Sequence, residues 1–181
     1  MDLVSVVYQL SKMKAVCMVA HPDDCVIFGL GYILAHPEYE WRIVYLTHRL
    51  NSPRGREIHD FWIRRNINVD FLGFLDDKKD NRLNKISFNP DMACNFIQTE
   101  IETADLVLTH GEKGEYGHIH HKFVHECCKF HPHLVTFADS GESYAVPNEY
   151  YTLNELPLHA SVIKKLVDPD NHINYYDTSR I

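Results

Sequence analysis

Two short polar segments carry the residue types from which metal sites are built. The first is Ala20-His21-Pro22-Asp23-Asp24, which directly follows an apolar run. An imidazole and two carboxylates this close together can bind a borderline ion such as zinc and still leave one carboxylate free as a base. The same residues can also form a helix N-cap, with an aspartate accepting backbone N–H groups. The pentapeptide alone leaves both interpretations open.

The second segment runs from Thr109 to His121 and contains three glycines and four histidines. It also follows an apolar run and leads into a helical pattern. His118 and His121 are spaced so that they share one face of a helix, where one can bind a metal while the other faces a substrate. The alternative is a solvated glycine loop before a His-rich helix start. We expect His120 and His125 to be solvated residues of that kind.

An alternation of apolar strands and helical segments must position these residues. The pattern predicts strands at Ala15–Ala20, Trp41–Thr47, Val69–Leu75, Asp105–Thr109 and Leu134–Ala138. It predicts helices at Val26–Ala35, Pro53–Asn66, Asp91–Thr103 and Ile119–Phe130. This order favours an α/β fold, a three-layer Rossmann-like domain with a mainly parallel sheet flanked by helices. Ligands bind where the strands of such a sheet end, and both polar segments follow strands.

The length of 181 residues favours one domain, with a motif-bearing part at about 15–139 and a cap or edge segment at about 140–181. The stretch Leu3–Leu10 fits a strand or a short helix equally well. The net charge of −7 argues against a nucleic-acid partner. No apolar run of about 18 residues predicts a membrane span, and no secretion signal is recognisable, so we expect a cytoplasmic protein. The five cysteines lack a Cys-x-x-Cys pair, and we expect reduced thiols.

The chain resembles the PIG-L/LmbE-like deacetylases, a family that acts on N-acetylglucosamine conjugates and related amides. The resemblance runs in order from about Ala15 to His125. It rests on four motifs, which are Ala20-His21-Pro22-Asp23-Asp24 after a strand, Arg54-Gly55-Arg56-Glu57 on a helix, the turn Leu72-Gly73-Phe74-Leu75-Asp76, and Gly117-His118-Ile119-His120-His121 at the end of the glycine-rich loop.

The resemblance implies a role for each matching position. His21, Asp24 and His121 would ligate a divalent ion, most often Zn²⁺, although Fe²⁺ or another divalent ion fits the same pattern. Asp23 would act as general base, and protonated His118 would assist at the carbonyl. A small N-acylated amino sugar or a related amide would be the substrate. The sequence specifies neither the acylated amine nor the oligomeric state.

Arg54 and Asp76 would reach toward the polar part of that substrate. Each also has an ordinary structural interpretation, because Arg54 and Glu57 can form a surface pair on a helix and Asp76 can begin a turn.

Two positions depart from the family pattern. Cys25 stands where the family often has Glu, and we expect it to pack as a small apolar residue. His120 stands where relatives usually have Asp, so we expect a lowered pKa for His118.

Two other functions stay open for the same scaffold. One is hydrolysis of a different bond, such as a phosphoester, although the loop lacks the Gly-Lys-Ser/Thr ending of a P-loop. The other is a non-catalytic module that binds metal or sugar, against which an intact Asp23 argues. A nucleotide-binding domain is disfavoured because Gly-x-Gly-x-x-Gly does not follow the first strand.

Overall fold

The structure, a computed structural model, describes residues 12–137 and 155–159. Its five parallel strands are β1 (Lys14–Val19), β2 (Glu40–Thr47), β3 (Asn68–Phe74), β4 (Leu106–Thr109) and β5 (Leu134–Thr136). They form one sheet in the order β3-β2-β1-β4-β5. The predicted α/β class and the five expected strands are confirmed. The stretch Leu3–Leu10 and most of 140–181 lie outside the described residues.

Five α-helices connect the strands. They are α1 (Leu30–Ala35), α2 (Pro53–Ile63), α3 (Lys78–Leu83), α4 (Pro90–Ile101) and α5 (Ile119–Cys128). The helix expected from Val26 begins instead as a π-helical turn at Cys25–Gly29. The short polar helix α3 was not predicted, and the Asp77 side chain caps it by accepting from the backbone N–H of Lys79. Within the described part of the chain, no helix is long and apolar enough to cross a membrane.

The sheet is the middle of three layers. The side chains of β1 alternate between two buried cores, as the two-residue period of a strand requires. On one face α1 and α2 cover Ala15, Cys17 and Val19, and on the other α4 and α5 cover Val16, Met18 and Ala20. Strands buried on both faces explain why the apolar runs were continuous in the sequence.

The cysteines do not all follow the expectation of reduced thiols. Cys94 of α4 and Cys127 of α5 form a disulfide, because the two neighbouring helices bring their Cα atoms to 5.4 Å. The sequence gives no hint of this pair, since nothing local connects the two positions. Cys17, Cys25 and Cys128 are buried free thiols, as expected. The cytoplasmic location stays a prediction.

The strand order creates one crevice at the carboxyl edge of the sheet. The chain builds outward from β1 through β2 to β3 and then returns to place β4 on the other side of β1. Met18 and Thr109 are register partners, so β1 and β4 end near the same level. The segments that follow these two strands therefore flank the switch point where such sheets bind ligands.

Helix α2 begins with a close backbone approach. The Ser52 hydroxyl accepts from the Gly55 N–H at 3.0 Å and donates to the Arg49 carbonyl at 2.7 Å. A Cβ on Gly55 would collide with that same Arg49 carbonyl oxygen. Only glycine therefore lets the first turn of α2 pack against the loop after β2, and this turn carries Arg54.

We expect Gly55→Ala to lower the free energy of unfolding by about 1–3 kcal/mol, because the added methyl overlaps fixed backbone. Helix propensity alone predicts the opposite sign, a gain of about 1 kcal/mol. Urea unfolding followed by circular dichroism measures the difference. Asp60→Ala, at an exposed position of the same helix, is the control and should change stability by less than about 0.5 kcal/mol. A stabilised Gly55→Ala protein would contradict the packing described for this turn.

Candidate metal centre

The segments after β1 and β4 meet around three ligand-type atoms. His21 Nδ1 lies 3.1 Å from Asp24 Oδ2 and 3.2 Å from His121 Nε2. The third side of this triangle, from His121 Nε2 to Asp24 Oδ2, is 3.3 Å. His21 and His121 are separated by 100 positions in the sequence. All three residues are buried.

The helix N-cap interpretation of the first segment does not hold. Asp24 stands at the N-cap position of the π-helical turn, yet its side chain makes no capping hydrogen bond. Its Oδ2 atom instead accepts from the backbone N–H of His21 at 2.7 Å. That contact turns the carboxylate back toward the triangle.

A hydrogen-bonded chain fixes which nitrogen of His21 carries a proton. Asp80 Oδ2 lies 2.9 Å from His120 Nε2, and a carboxylate accepts, so Nε2 of His120 holds the hydrogen. His120 Nδ1 then presents a lone pair and accepts from His21 Nε2 at 3.2 Å. The other nitrogen of His21, Nδ1, is left with its lone pair facing the triangle.

Glu115 fixes His121 in the same way. Its Oε2 atom accepts from His121 Nδ1 at 2.6 Å, so Nε2 of His121 presents a lone pair. The backbone N–H of Gly111 holds Oε1 at 2.9 Å. Gly114, with φ of 68°, makes this loop possible, because a Cβ there would lie 2.8 Å from the His118 carbonyl oxygen.

The triangle has the donor set and the size of a divalent metal site. Zinc bonds to nitrogen and oxygen of about 2.0–2.1 Å, at tetrahedral angles, put neighbouring ligand atoms about 3.3–3.4 Å apart. Two imidazole nitrogens and one carboxylate oxygen leave a fourth position open, as catalytic zinc sites do. Three overlapping groups of side chains could also hold an ion, namely His21 with His118 and His121, His21 with Asp76 and His120, and Asp24 with His110 and His121. However, His110 Nε2 accepts from the backbone N–H of Ala20 at 3.1 Å, and the lone pair of His120 Nδ1 is used by His21.

The close packing of Asp24, His21 and His121 shifts the pKa values of the metal-free site. Burial alone would raise the pKa of Asp24, but His121 and His21 outweigh it and hold that pKa well below its usual range. Burial would lower the pKa of His121, yet the Asp24 carboxylate raises it. The attraction between the Asp24 carboxylate and the two imidazoles therefore outweighs the effect of burial on both pKa values.

Asp23 lies beside the triangle with a different partner. Its Oδ1 atom forms an ion pair with Arg54 Nη2 at 3.0 Å, and the residue is only 5% exposed. The surface-pair interpretation of Arg54 and Glu57 is wrong, because Glu57 instead binds Leu158 and His159. At the start of α2, Arg54 thus contacts the site, whereas Glu57 contacts a segment that is distant in the sequence.

Asp76 marks the opposite wall of the site. Its Oδ1 atom lies 3.7 Å from His21 Nε2 and 3.9 Å from His120 Nδ1. Asp76 also borders a groove of about 380 Å³ that His48 and Ser52 help to line. The groove provides room for a ligand next to the triangle.

His118 lies over the triangle. Its ring packs edge-on against His21, with centroids 4.7 Å apart, and its Nδ1 accepts from the backbone N–H of His120. Burial, followed by the neighbouring His21 and His121, lowers the pKa of His118 to about 2. The shift has the direction that the sequence predicts, although burial rather than the residue at position 120 is its main cause, and the imidazole is neutral with its hydrogen on Nε2.

The two residues that depart from the family pattern, Cys25 and His120, are both buried. The prediction that His120 is solvated is wrong, since the residue is fully buried against Asp80 and His21. Cys25 is buried with its Sγ 3.4 Å from Cys17 Sγ, and burial raises its pKa well above the usual value. It is a packing residue, as expected.

Comparisons of the sequence with known proteins give one relative. No family model matches the chain. A sequence relative, an uncharacterized protein of Acanthamoeba polyphaga mimivirus, is 26% identical over 171 residues, covering 86% of this chain and 69% of its own.

Two solved structures are similar. A deacetylase of teicoplanin biosynthesis, in complex with teicoplanin, aligns with a TM-score of 0.51 and 13% identity, over 85% of this chain and 88% of that one. GalB, the 4-carboxy-2-hydroxymuconate hydratase of Pseudomonas putida, aligns with a TM-score of 0.50 and 17% identity over 65% of this chain. The chain spans about half of GalB, at 54% of its length. The chain shares the fold of these two proteins. At these identities the likeness establishes the fold alone.

We expect His120→Ala to lower the free energy of unfolding by about 1–3 kcal/mol, because it leaves the buried Asp80 carboxylate without its imidazole partner. His133→Ala is the matched control at an exposed histidine and should stay within about 0.5 kcal/mol. Urea unfolding of the metal-free proteins measures both. If the two variants were equally stable, the contact between His120 and Asp80 would not stabilise the fold.

Proposed function

We propose that this protein is a metal-dependent hydrolase that removes an acyl group, in particular an acetyl group, from an amino sugar or a related amide. The observation that carries the proposal is the triangle of His21 Nδ1, Asp24 Oδ2 and His121 Nε2, whose three lone pairs face one another at 3.1–3.3 Å. We assign these residues as ligands of a divalent ion, with zinc the best fit to the donor set. A free carboxylate beside such a site supplies the base that hydrolysis needs.

A zinc ion bound there supplies a water of lowered pKa and a positive charge beside the substrate carbonyl. Asp23 is assigned as the general base. Its Oδ1 atom is held by Arg54 at 3.0 Å, and we assign Oδ2 to the proton of the attacking water. The same carboxyl group can then deliver that proton to the leaving amine, so a free amine and a carboxylate are the products.

His118 is assigned to the carbonyl oxygen of the substrate. The expectation of a protonated His118 is replaced by a neutral imidazole, because burial and the neighbouring histidines disfavour the cation. With Nδ1 accepting from the His120 N–H, Nε2–H is the donor available to the developing oxyanion. A fixed N–H in a site shielded from water stabilises that charge without being charged itself.

Arg54 and Asp76 are assigned to the polar part of the substrate. They flank the site from α2 and from the end of β3, and Asp76 opens onto the adjoining groove. A small polar molecule fits this arrangement better than a polymer in extended contact. We keep the cytoplasm as the proposed location.

The central test uses the zinc-loaded protein, N-acetyl-D-glucosamine with a panel of simple acetamides, and detection of released amine. We expect Asp23→Asn to lower kcat by at least about 100-fold while zinc content stays near that of the wild type, because the base is lost and the ligands are kept. His121→Ala should lose both turnover and zinc. Elemental analysis of the same samples gives the metal content.

Equal zinc loss in the two variants would exchange the roles of base and ligand. Zinc binding without amine release from any acetamide would favour a non-catalytic binding module. Turnover of a phosphoester such as p-nitrophenyl phosphate in place of amides would favour the other hydrolase.

A second prediction concerns Glu115, which orients His121. Glu115→Gln should weaken zinc binding by about 10–100-fold, since an amide is a poorer acceptor for the N–H of a ligating imidazole. Competition with a chromophoric chelator measures the affinity. Glu112→Gln, in the same loop but exposed, should bind zinc like the wild type. Identical affinities in the two variants would show that His121 needs no carboxylate to hold its orientation.

A further inference from the structure

Two grooves near the start of α2 share part of their walls. The first, of about 380 Å³, is bordered by Asp76, whose Oδ1 atom lies 3.7 Å from His21 Nε2. The second, which we call the arginine groove, has a volume of about 630 Å³ and is lined by Arg49, Leu50, Asn51, Arg56, His59 and Asp60. Arg49 and Asn51 line both grooves, so the arginine groove adjoins the one that opens beside the proposed metal centre.

The arginine groove contains guanidinium groups that no carboxylate neutralises. Four arginines of the described chain form ion pairs with carboxylates, namely Arg42, Arg54, Arg64 and Arg65. In the same part of the chain, Arg49, Arg56 and Arg82 have no such partner. Two of these three side chains line the arginine groove, although the whole chain has a net charge of −7. An anion is the ligand that two neighbouring guanidinium groups attract.

Both arginines are held in place by their surroundings. The Arg49 carbonyl oxygen accepts from the backbone N–H of Ser52 at 3.0 Å and from its hydroxyl at 2.7 Å. The Arg49 side chain lies against Gly73, where a Cβ would stand 3.4 Å from both its Cγ and its Nε. Arg56 donates from Nη1 to the Asn51 carbonyl at 2.6 Å, which leaves its other N–H groups for a ligand. Such positioning lowers the entropy that binding costs.

One carboxylate of the arginine groove opposes this attraction. Asp60 lines the groove, and its Oδ1 atom lies 3.2 Å from His59 Nδ1. The Asp60 side chain is 65% exposed, so water and salt screen its charge. Two arginines against this single carboxylate leave the groove with a positive balance, in contrast to the chain as a whole.

We propose that Arg49 and Arg56 form a subsite for an anionic group of the substrate, either a phosphate ester or a carboxylate. This inference rests on the proposed function, because it places the anionic group on the molecule whose amide lies at the metal centre. The groove beside Asp76 then takes the part of the molecule between the amide and the anion. The proposal narrows the substrate from any N-acylated amino sugar or related amide to one that carries a negative charge.

The test compares neutral and charged sugars that bind to the zinc-loaded protein. The probes are N-acetyl-D-glucosamine, its 1-phosphate, its 6-phosphate, and N-acetylmuramic acid, which carries a carboxylate. Calorimetry at low ionic strength, where exposed charges are least screened, gives each Kd. At least one charged sugar should bind to the wild type about 10-fold more tightly than the neutral parent, because hydrogen bonds between charged groups are the stronger ones. The phosphate and carboxylate probes separate the two sources of the anion.

Variants locate the preference, which is the ratio of the Kd of the neutral sugar to that of the charged sugar. Arg49→Gln and Arg56→Gln should each lower this ratio by about 3–10-fold. Arg49→Lys keeps the charge without the paired donors and should retain part of the ratio. Asp60→Asn removes the opposing carboxylate and should raise it. Arg82→Gln, at an exposed arginine outside the groove, changes the net charge equally and should keep the wild-type ratio.

Four outcomes decide between the subsite and the proposed function, with zinc content and thermal unfolding measured for every variant. Equal binding of charged and neutral sugars by the wild type would overturn the subsite, and amine release from the neutral sugar would leave the function standing. Equal losses in Arg82→Gln and Arg49→Gln would also overturn it, because the preference would then report overall charge. Inorganic phosphate that binds as tightly as the sugar phosphates would reduce the groove to an adventitious ion site. Charged sugars that bind through these arginines but release no amine would overturn the function while the subsite stands.

Discussion

Three lone pairs that face one another within 3.3 Å need a positive charge among them, and this requirement organises the whole site. In the metal-free protein, burial would raise the pKa of Asp24 and lower that of His121, and the mutual attraction of these groups reverses both shifts. A carboxylate outside the triangle orients each imidazole. Asp80 acts on His21 through His120, and Glu115 contacts His121 directly. A divalent ion would supply that positive charge, and the fold has already brought the three side chains together.

The sheet supplies the rigidity that such a triangle demands. At the carboxyl ends of β2 and β4, Thr47 and Thr109 are buried and donate their hydroxyls to the Ala20 and Met18 carbonyls at 2.8 and 2.7 Å. These two bonds brace the end of β1 from both sides, just where regular strand pairing stops. His21 therefore leaves a fixed strand end. The sheet thus fixes the start of the segment that carries His21 and Asp24.

Sequence periodicity could predict the strands and the long helices, because each depends on local pattern. The resemblance, and not the periodicity, singled out His21, Asp24 and His121, whose side chains meet in the structure. Periodicity could not predict α3, a short helix of five polar residues and Leu83 that has the Asp77 cap at its start and a contact with α5. Contacts between residues distant in the sequence could not be predicted either. Asp80 meets His120 across 40 positions and Glu57 meets His159 across 102, and neither pair leaves a local signal. The sequence motif includes Glu57, but only the folded structure shows that this residue holds Leu158 and His159.

The departure at His120 shows how one requirement can be met by different residues. The family pattern has Asp at this position, where a carboxylate could contact a neighbouring imidazole itself. Here a neutral imidazole takes that place, and the carboxylate of Asp80 stands behind it. The hydrogen-bond direction at His21 is preserved, since His120 Nδ1 still accepts. The pKa of His118 is lowered mainly by burial, then by His21 and His121, with a smaller contribution from His120. The residue at position 120 therefore holds His21 through a hydrogen bond and has a buried carboxylate as its own partner.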